Sequence, residues 1–154
     1  MNSISRYSEK RYLSLFAPIL FIFLYSCSSV RLIQEYDEIT DQKLTALQEK
    51  IARFFVRMDR QIGFPESNYV NYIDFYDDVK TELSVLEVRS RAIPKSDIVQ
   101  QQLQSVQSQV TNLEKLHKLG FNSYEEIVPI RNALNNSFAA IIQLQMSLKS
   151  RVKL

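Results

Sequence analysis

The chain has 154 residues, of which 45% are apolar and 23% are charged, enough for one domain of modest size. Two glycines argue against all-β folds and glycine-rich phosphate loops, and a single His and a single Cys exclude zinc clusters and internal disulfides. Three of the 19 basic and one of the 17 acidic residues lie in residues 1–26, which leaves 16 of each in the remainder. Nucleic-acid binders are expected to be basic, so nucleic acid is not a predicted partner.

The N-terminus has the parts of a secretory signal peptide. Residues 1–11 are basic, residues 12–26 are uncharged and strongly apolar, and Cys27 follows directly. The apolar stretch of 15 residues is shorter than the ~20 residues that a membrane-spanning helix needs. We therefore predict a signal peptide rather than a permanent membrane helix.

The segment Leu24-Tyr25-Ser26-Cys27 resembles the lipobox of bacterial lipoproteins, in which the Cys becomes the first residue of the mature protein. The resemblance implies that residues 1–26 are removed, that Cys27 carries acyl chains, and that residues 27–31 form a short tether. Several acyl chains hold a protein durably at a membrane. Ser28 after the Cys looks like the signal for the outer membrane of Gram-negative bacteria, with the protein facing the periplasm. The alternative is an ordinary signal peptide that contains a Cys.

Residues 32–154 contain four segments in which apolar residues recur every three or four positions, the spacing of one helix face. The predicted helices run over about 32–62, 68–92, 97–119 and 124–152. The breaks between them fall at Gly63-Phe64-Pro65, Pro94 and Gly120-Phe121-Asn122. The positions predicted to be fully buried are Leu47, Ile51, Val79, Leu83, Val106, Val110, Leu134 and Ile141. By contrast, Gln104 and Gln107 are expected on the surface.

The helix ends carry their own signals. Ser96 and Asp97 are predicted to cap the third helix. The segment Ser123-Tyr124-Glu125-Glu126 matches a capping box at the start of the fourth helix. Pro129 conflicts with this start because it removes a backbone hydrogen bond, so we expect either a kink or a short turn with a restart at Pro129.

Short links between long helices make neighbouring helices antiparallel. The sequence therefore predicts an all-α fold, an antiparallel up-down-up-down four-helix bundle. A long coiled-coil hairpin that dimerises is the alternative, because the same three-four spacing suits both architectures.

Two groups of core-type residues invite a functional interpretation. His117 lies on the apolar stripe of the third helix, and we expect a satisfied or partly exposed core histidine rather than a ligand or base. An aromatic band lies on the first turns of the predicted second helix, formed by Tyr69, Tyr72, Phe75 and Tyr76. At helical spacing these rings are expected to be core, with phenol oxygens that reach the rim.

The second helix also carries an acidic group, Asp74, Asp77, Asp78 and Glu82. We expect ordinary ion pairs rather than a cation site, with the partners taken from Arg53, Arg57 and Arg60 of the first helix. No nucleophile elbow, phosphate loop or zinc motif occurs in the sequence. The chain is therefore predicted to be non-catalytic, with no cofactor and no metal.

The two Gly-Phe turns, at Gly63 and Gly120, permit two interpretations. In the first, each phenylalanine covers the last turn of the preceding helix, and Phe121 packs near Leu116. In the second, an aromatic tip binds a protein partner. The tip consists of Phe64, Tyr69, Phe121 and Tyr124.

Basic residues gather where the second and fourth helices return to the anchored end. They are Arg89, Arg91, Lys95, Lys149, Arg151 and Lys153. One hypothesis is that they contact anionic lipid head groups. The alternative is that basic residues suit helix C-termini, and acidic residues also lie at this end.

Together these features predict a membrane-anchored helical lipoprotein that acts as a protein-interaction or structural module of the cell envelope. Its partners are then the membrane, through the lipid, and an envelope protein. The alternative is a carrier that holds a lipid or small apolar ligand between the helices.

Overall fold

A computed structural model describes residues 33–152. They form four α-helices, and two short 3-10 turns, Pro65–Ser67 and Tyr69–Tyr72, join the first helix to the second. The helices are α1 (Glu38–Gln61), α2 (Ile73–Ala92), α3 (Asp97–Leu119) and α4 (Tyr124–Val152). No β-strand occurs in the described part of the chain. The predicted signal peptide, Cys27, the predicted tether and Lys153 lie outside the described residues.

The four helices pack as an antiparallel bundle. Helix α1 packs against α2 and α4, and α3 packs against the same two helices. Each connection is short, so successive helices run in opposite directions. The up-down-up-down four-helix bundle is therefore confirmed, and its core forms within one chain rather than between two hairpins. None of these four helices contains an apolar stretch long enough to span a bilayer.

The two ends of the bundle are defined by where the chain enters. At the entry end, the backbone N–H of Gln34 donates to the carbonyl oxygen of Lys95 between α2 and α3, at 3.0 Å. Lys149, near the end of α4, lies 4.0 Å from Asp41 in the first turn of α1. The far end holds the 3-10 turns and the α3–α4 connection. The second and fourth helices thus return to the entry end, as predicted.

Helices α3 and α4 have the predicted bounds, whereas α1 and α2 begin later than expected. Helix α1 begins at Glu38 rather than at residue 32, because Asp37 is its N-cap and accepts a hydrogen bond from the backbone N–H of Thr40 at 3.0 Å. Helix α2 begins at Ile73 rather than at residue 68, because the 3-10 turns occupy the preceding residues.

Ser96 occupies the predicted N-cap position of α3, but the predicted capping hydrogen bond is absent. Its buried hydroxyl donates instead to the carbonyl oxygen of Ser90 at 2.5 Å and accepts from the amide of Gln100 at 2.8 Å. Ser96 therefore ties the end of α2 to the start of α3.

The start of α4 also differs from the prediction. The Glu126 carboxylate accepts from the backbone N–H of Asn122 at 3.0 Å, one residue before the expected Ser123. Helix α4 continues unbroken through Pro129, so the predicted restart is wrong. Pro129 lies in the second turn, where it removes the hydrogen bond that its N–H would have made.

The core follows the predicted stripes. All eight positions chosen as interior are at most 2% exposed, and Gln104 and Gln107 are exposed. The stripes missed Phe55 and Ile127, which are also buried. They also did not predict that Gln145 of α4 is fully buried. Neither polar atom of its amide has a hydrogen-bond partner among the described residues.

Candidate functional site

An aromatic cluster around His117 forms the core of the far end. The His117 ring stacks on Phe121, with centroids 4.7 Å apart, and meets Tyr72 at 5.2 Å. Phe54 in α1 lies against the same ring and stacks on Phe75 at 4.5 Å. Tyr76 is fully buried, Tyr72 is 7% exposed, and Tyr69 and Phe75 pack half-buried against the core. The predicted core role of the aromatic band is confirmed.

Both ring nitrogens of His117 are engaged inside the protein. Because the carbonyl oxygen of Ser67 can only accept, Nε2 donates to it at 2.6 Å, and Nδ1 then accepts from the Tyr76 hydroxyl at 2.9 Å. Burial lowers the pKa of His117, which favours the neutral ring. His117 is the satisfied core histidine that was expected, and it holds the first 3-10 turn against α3.

Sequence reasoning missed a buried carboxylate in the same region. Glu114 accepts from the Tyr69 hydroxyl at 2.9 Å and pairs with Lys118 at 3.0 Å and with Lys80. Burial alone would raise the pKa of Glu114, but these hydrogen bonds outweigh it and lower the pKa to about 2. The spacing of Glu114 three residues before His117, on the same face of α3, was the available signal. Two lysines compensate its charge, which gives Glu114 a structural role.

The acidic group of α2 pairs with a residue that was not predicted. Lys50 contacts Glu82 at 2.5 Å and Asp78 at 3.2 Å, whereas Arg53 pairs with Glu49 on its own helix. Ion pairs across α1 and α2 therefore exist, but the predicted arginine partners are wrong. Within residues 33–152, no three acidic, His or Cys side chains converge as a metal site would require.

The structure divides the predicted aromatic tip. Phe64 is 61% exposed, so it does not act as a packed cap, while Phe121 is buried against His117 rather than over Leu116. Tyr69 is half-buried, and its ring lies 4.9 Å from the ammonium of Lys118. The fourth member, Tyr124, is 45% exposed.

Tyr124 is also held by its own helix. The Arg131 guanidinium lies 5.2 Å from the Tyr124 ring and donates to its hydroxyl at 3.3 Å, and it also pairs with Asp59 of α1. Of the four predicted tip residues, Phe64 is therefore the one whose side chain is mostly exposed.

Other apolar side chains at the far end are exposed as well. The far-end apolar surface, as we call the set, consists of Phe64, Val70, Ile73, Leu116, Leu119 and Tyr124. These six are among the thirteen exposed large apolar residues of the described chain, although the far end is a small part of its length. Leu119 is 84% exposed and Val70 is 68% exposed. Both lie outside the predicted apolar stripes, and this was the only feature of the sequence that could have predicted their exposure.

A polar cleft opens beside this surface. The arginine cleft, of about 450 Å³, is lined by Arg57, Arg60, Gln61, Glu66, Asn71 and Tyr72. Two hydrogen bonds shape its wall: the Asn71 amide donates to the carbonyl oxygens of Pro65 and Glu66, at 3.1 and 3.3 Å. The Tyr72 hydroxyl donates to the side-chain oxygen of Gln61, whose amide nitrogen has no acceptor among residues 33–152.

At the entry end, several of the basic residues suggested for lipid contact are already paired. Arg89 makes two 2.6 Å hydrogen bonds to Asp37. These bonds are the main reason why the pKa of Asp37 falls to about 2. Arg91 pairs with Glu87 at 2.5 Å. The ammonium of Lys149 lies over the ring of Tyr36, with Asp41 close by. Lys95 and Arg151 are exposed. Contact between these residues and head groups stays a prediction.

Comparison with known proteins identifies no relative. No protein-family model matches the chain, and no curated protein or solved structure is significantly similar to it. A function has to be argued from the residues described above.

Proposed function

We propose that this chain is a bacterial lipoprotein, anchored through Cys27 to the outer membrane, whose helical bundle docks a protein partner in the periplasm without catalysing a reaction. The observation that carries the docking role is the concentration of exposed apolar side chains at the far end. Large exposed apolar residues that cluster on a surface are typical of protein-binding sites.

The anchor is supported by the sequence alone. The only Cys of the chain directly follows Leu24-Tyr25-Ser26 at the end of the apolar stretch. With the chain attached at Cys27, the entry end is the end nearest the membrane, because the described bundle begins at residue 33. The far end then points away from the lipid, where another protein can reach it.

The side chains most suited to catalysis are engaged in the core. His117 uses both nitrogens in internal hydrogen bonds, and Glu114 is neutralised by two lysines. A general base needs a free lone pair near its substrate, whereas Nδ1 of His117 already accepts a hydrogen bond and three donors contact the Glu114 carboxylate. This arrangement supports a binding function.

A carrier function has less support than docking. A carrier needs space between its helices for its ligand. In this bundle, side chains from all four helices meet in one core, and the rings around Phe54 lie within 4.5–5.9 Å of one another. The arginine cleft lies on the surface, and its lining consists of two arginines, a glutamate, two amide side chains and Tyr72.

The docking role is tested by affinity capture of the protein from envelope extracts with two matched variants. Leu119→Glu places a charge on the far-end apolar surface, and Met146→Glu places one on the exposed side of α4, where Met146 is 64% exposed. Both should melt like the wild type because neither side chain is buried. We expect wild type and Met146→Glu to retain the same envelope protein and Leu119→Glu to lose it.

Two results would contradict the docking role. One is capture of the same protein by all three chains, and the other is specific co-purification of a non-covalent lipid with no protein, which favours the carrier. The anchor is tested separately by labelling cells with a fatty acid. Cys27→Ala should lose both the label and membrane attachment, and a label that persists would contradict the lipoprotein assignment.

A further inference from the structure

The arginines of the described chain fall into two groups. Four have a carboxylate partner, and they are Arg53, Arg89, Arg91 and Arg131. The three without one in the described residues are Arg57, Arg60 and Arg151. Arg151 stands at the end of α4, whereas Arg57 and Arg60 stand three residues apart on α1 and line the same cleft. At that spacing their side chains leave the helix on one face, with Cβ atoms roughly 5–6 Å apart.

The remaining lining of the cleft adds hydrogen-bond donors and a fixed wall. The Gln61 amide nitrogen has no acceptor among the described residues, and the Asn71 bonds hold the 3-10 segment in place. An oxyanion that enters the cleft meets two guanidinium groups and an amide donor. Guanidinium groups bind carboxylates through paired, charge-assisted hydrogen bonds.

Two exposed apolar residues are close in sequence to residues that line the same cleft. Phe64 precedes the lining residue Glu66 by two positions and is 61% exposed, and Val70 adjoins Asn71 and is 68% exposed. A ligand that combines a carboxylate with neighbouring apolar groups would therefore bury both kinds of surface. Acidic peptide segments with apolar side chains have this chemistry.

We propose that the arginine cleft binds a Glu or Asp side chain from an acidic segment of a partner protein, whose neighbouring apolar side chains contact Phe64 and Val70. This inference rests on the proposed docking function and specifies its partner. Glu66 in the lining disfavours a doubly charged phosphate more than a singly charged carboxylate. Helix α1, of 24 residues and so about 36 Å long, separates the cleft from the entry end, which removes it from head groups near the anchor.

The test is an NMR titration of the native protein, purified in mild detergent, with two synthetic probes. They are the peptide acetyl-Leu-Glu-Phe-Glu-Leu-amide and its twin with Gln in place of each Glu. We expect the acidic peptide to shift the side-chain Nε–H resonances of Arg57 and Arg60, and the neutral twin to bind at least about tenfold more weakly. Arg57→Gln with Arg60→Gln should weaken binding of the acidic peptide by a similar factor.

A matched control carries the same loss of charge elsewhere. Arg53→Gln and Arg91→Gln together remove two exposed arginines outside the cleft, and binding of the acidic peptide should stay within about twofold of the wild type. Both double variants should keep the wild-type melting temperature, because all four side chains lie on the surface.

Several results would overturn the inference. They are equal binding of the two peptides, unchanged binding by the cleft variant, absence of binding at about 10 mM peptide, or tighter binding of inorganic phosphate than of the acidic peptide. The titration contains no envelope protein, so it separates the two proposals. Envelope capture without peptide binding overturns the cleft alone, whereas peptide binding without any envelope partner overturns the docking function and leaves the cleft.

Discussion

The two ends of the bundle differ in whether their best-placed cations have acidic partners. At the entry end, Arg89 is held by both oxygens of Asp37, and Lys149 lies near Asp41, so these two cations have acidic partners within the chain. At the far end, Arg57 and Arg60 make no ion pair with any residue of 33–152, and exposed apolar residues lie at the same end. Charges and apolar groups that are unsatisfied within a protein are those that a ligand can satisfy. The contrast is the reason why the proposed docking function is placed at the far end.

The far end contains both buried core residues and exposed surface residues. Substitutions that compare the two kinds should give the largest difference in the free energy of unfolding. Phe121 is 7% exposed and stacks on His117, whereas Phe64 is 61% exposed. We expect Phe121→Ala to lower the free energy of unfolding by about 3 kcal/mol and Phe64→Ala by less than about 0.5 kcal/mol. Urea denaturation measures both values. Equal losses would mean that the two phenylalanines have not been separated correctly into core and surface.

Acid should weaken both ends through one carboxylate each. Folding lowers the pKa of Asp37 and of Glu114 to about 2, below the ordinary values of free carboxyl groups. A lowered pKa means that the stability they contribute is complete above about pH 4.5 and is lost as the pH falls towards 2. After allowance for solvent screening, we expect a combined loss of about 2 kcal/mol.

Denaturation curves at pH 6 and pH 3 measure this acid effect, and two variants assign it. Asp37→Asn and Glu114→Gln should each start less stable at the higher pH and lose less between the two. If both variants lose as much stability between pH 6 and pH 3 as the wild type, then carboxylates other than Asp37 and Glu114 cause the loss.

Gln145 offers a way to raise stability without changing the far-end apolar surface or the arginine cleft. Its amide is fully buried in α4, and neither polar atom has a hydrogen-bond partner. An unsatisfied buried amide costs about 1–3 kcal/mol, so Gln145→Leu should raise the free energy of unfolding by about 1 kcal/mol. The measured melting temperature should rise, with peptide binding unchanged. A lower melting temperature would show that Gln145 contributes something that an apolar side chain cannot replace.

The smallest effect concerns an exposed pair of the entry end. Arg91 and Glu87 stand one helical turn apart, and the Arg91 side chain is 63% exposed. Such pairs contribute about 0.3–0.5 kcal/mol, so Arg91→Gln should change stability by less than about 0.5 kcal/mol. The Asp37–Arg89 pair is less exposed, and Arg89→Gln should cost more. Equal costs would remove the distinction between a helix-surface pair and the pair that joins Arg89 to the N-cap of α1.

The sequence was sufficient where local signals agreed with one another. The bounds of α3 and α4 and the eight interior positions follow from apolar spacing and from Gly120, which has a φ of 89° at the end of α3. Positive φ favours glycine because it has no Cβ, so this helix end is readable from one residue. The late start of α2 was not readable, because the Pro65–Tyr72 segment also contains residues at helical spacing.

What the sequence by itself determined is the set of buried helix faces, because a 3.6-residue period in apolar side chains leaves a helical chain one way to hide them from water. Only the tertiary structure decided which polar groups met. It paired Lys50 rather than Arg53 with the acids of α2, placed Glu114 between two lysines, and left Arg57 and Arg60 without an ion pair to any described residue. The physical reason is range: apolar burial depends on a repeating pattern along one helix, whereas an ion pair forms only where two helices bring charged groups within a few ångströms.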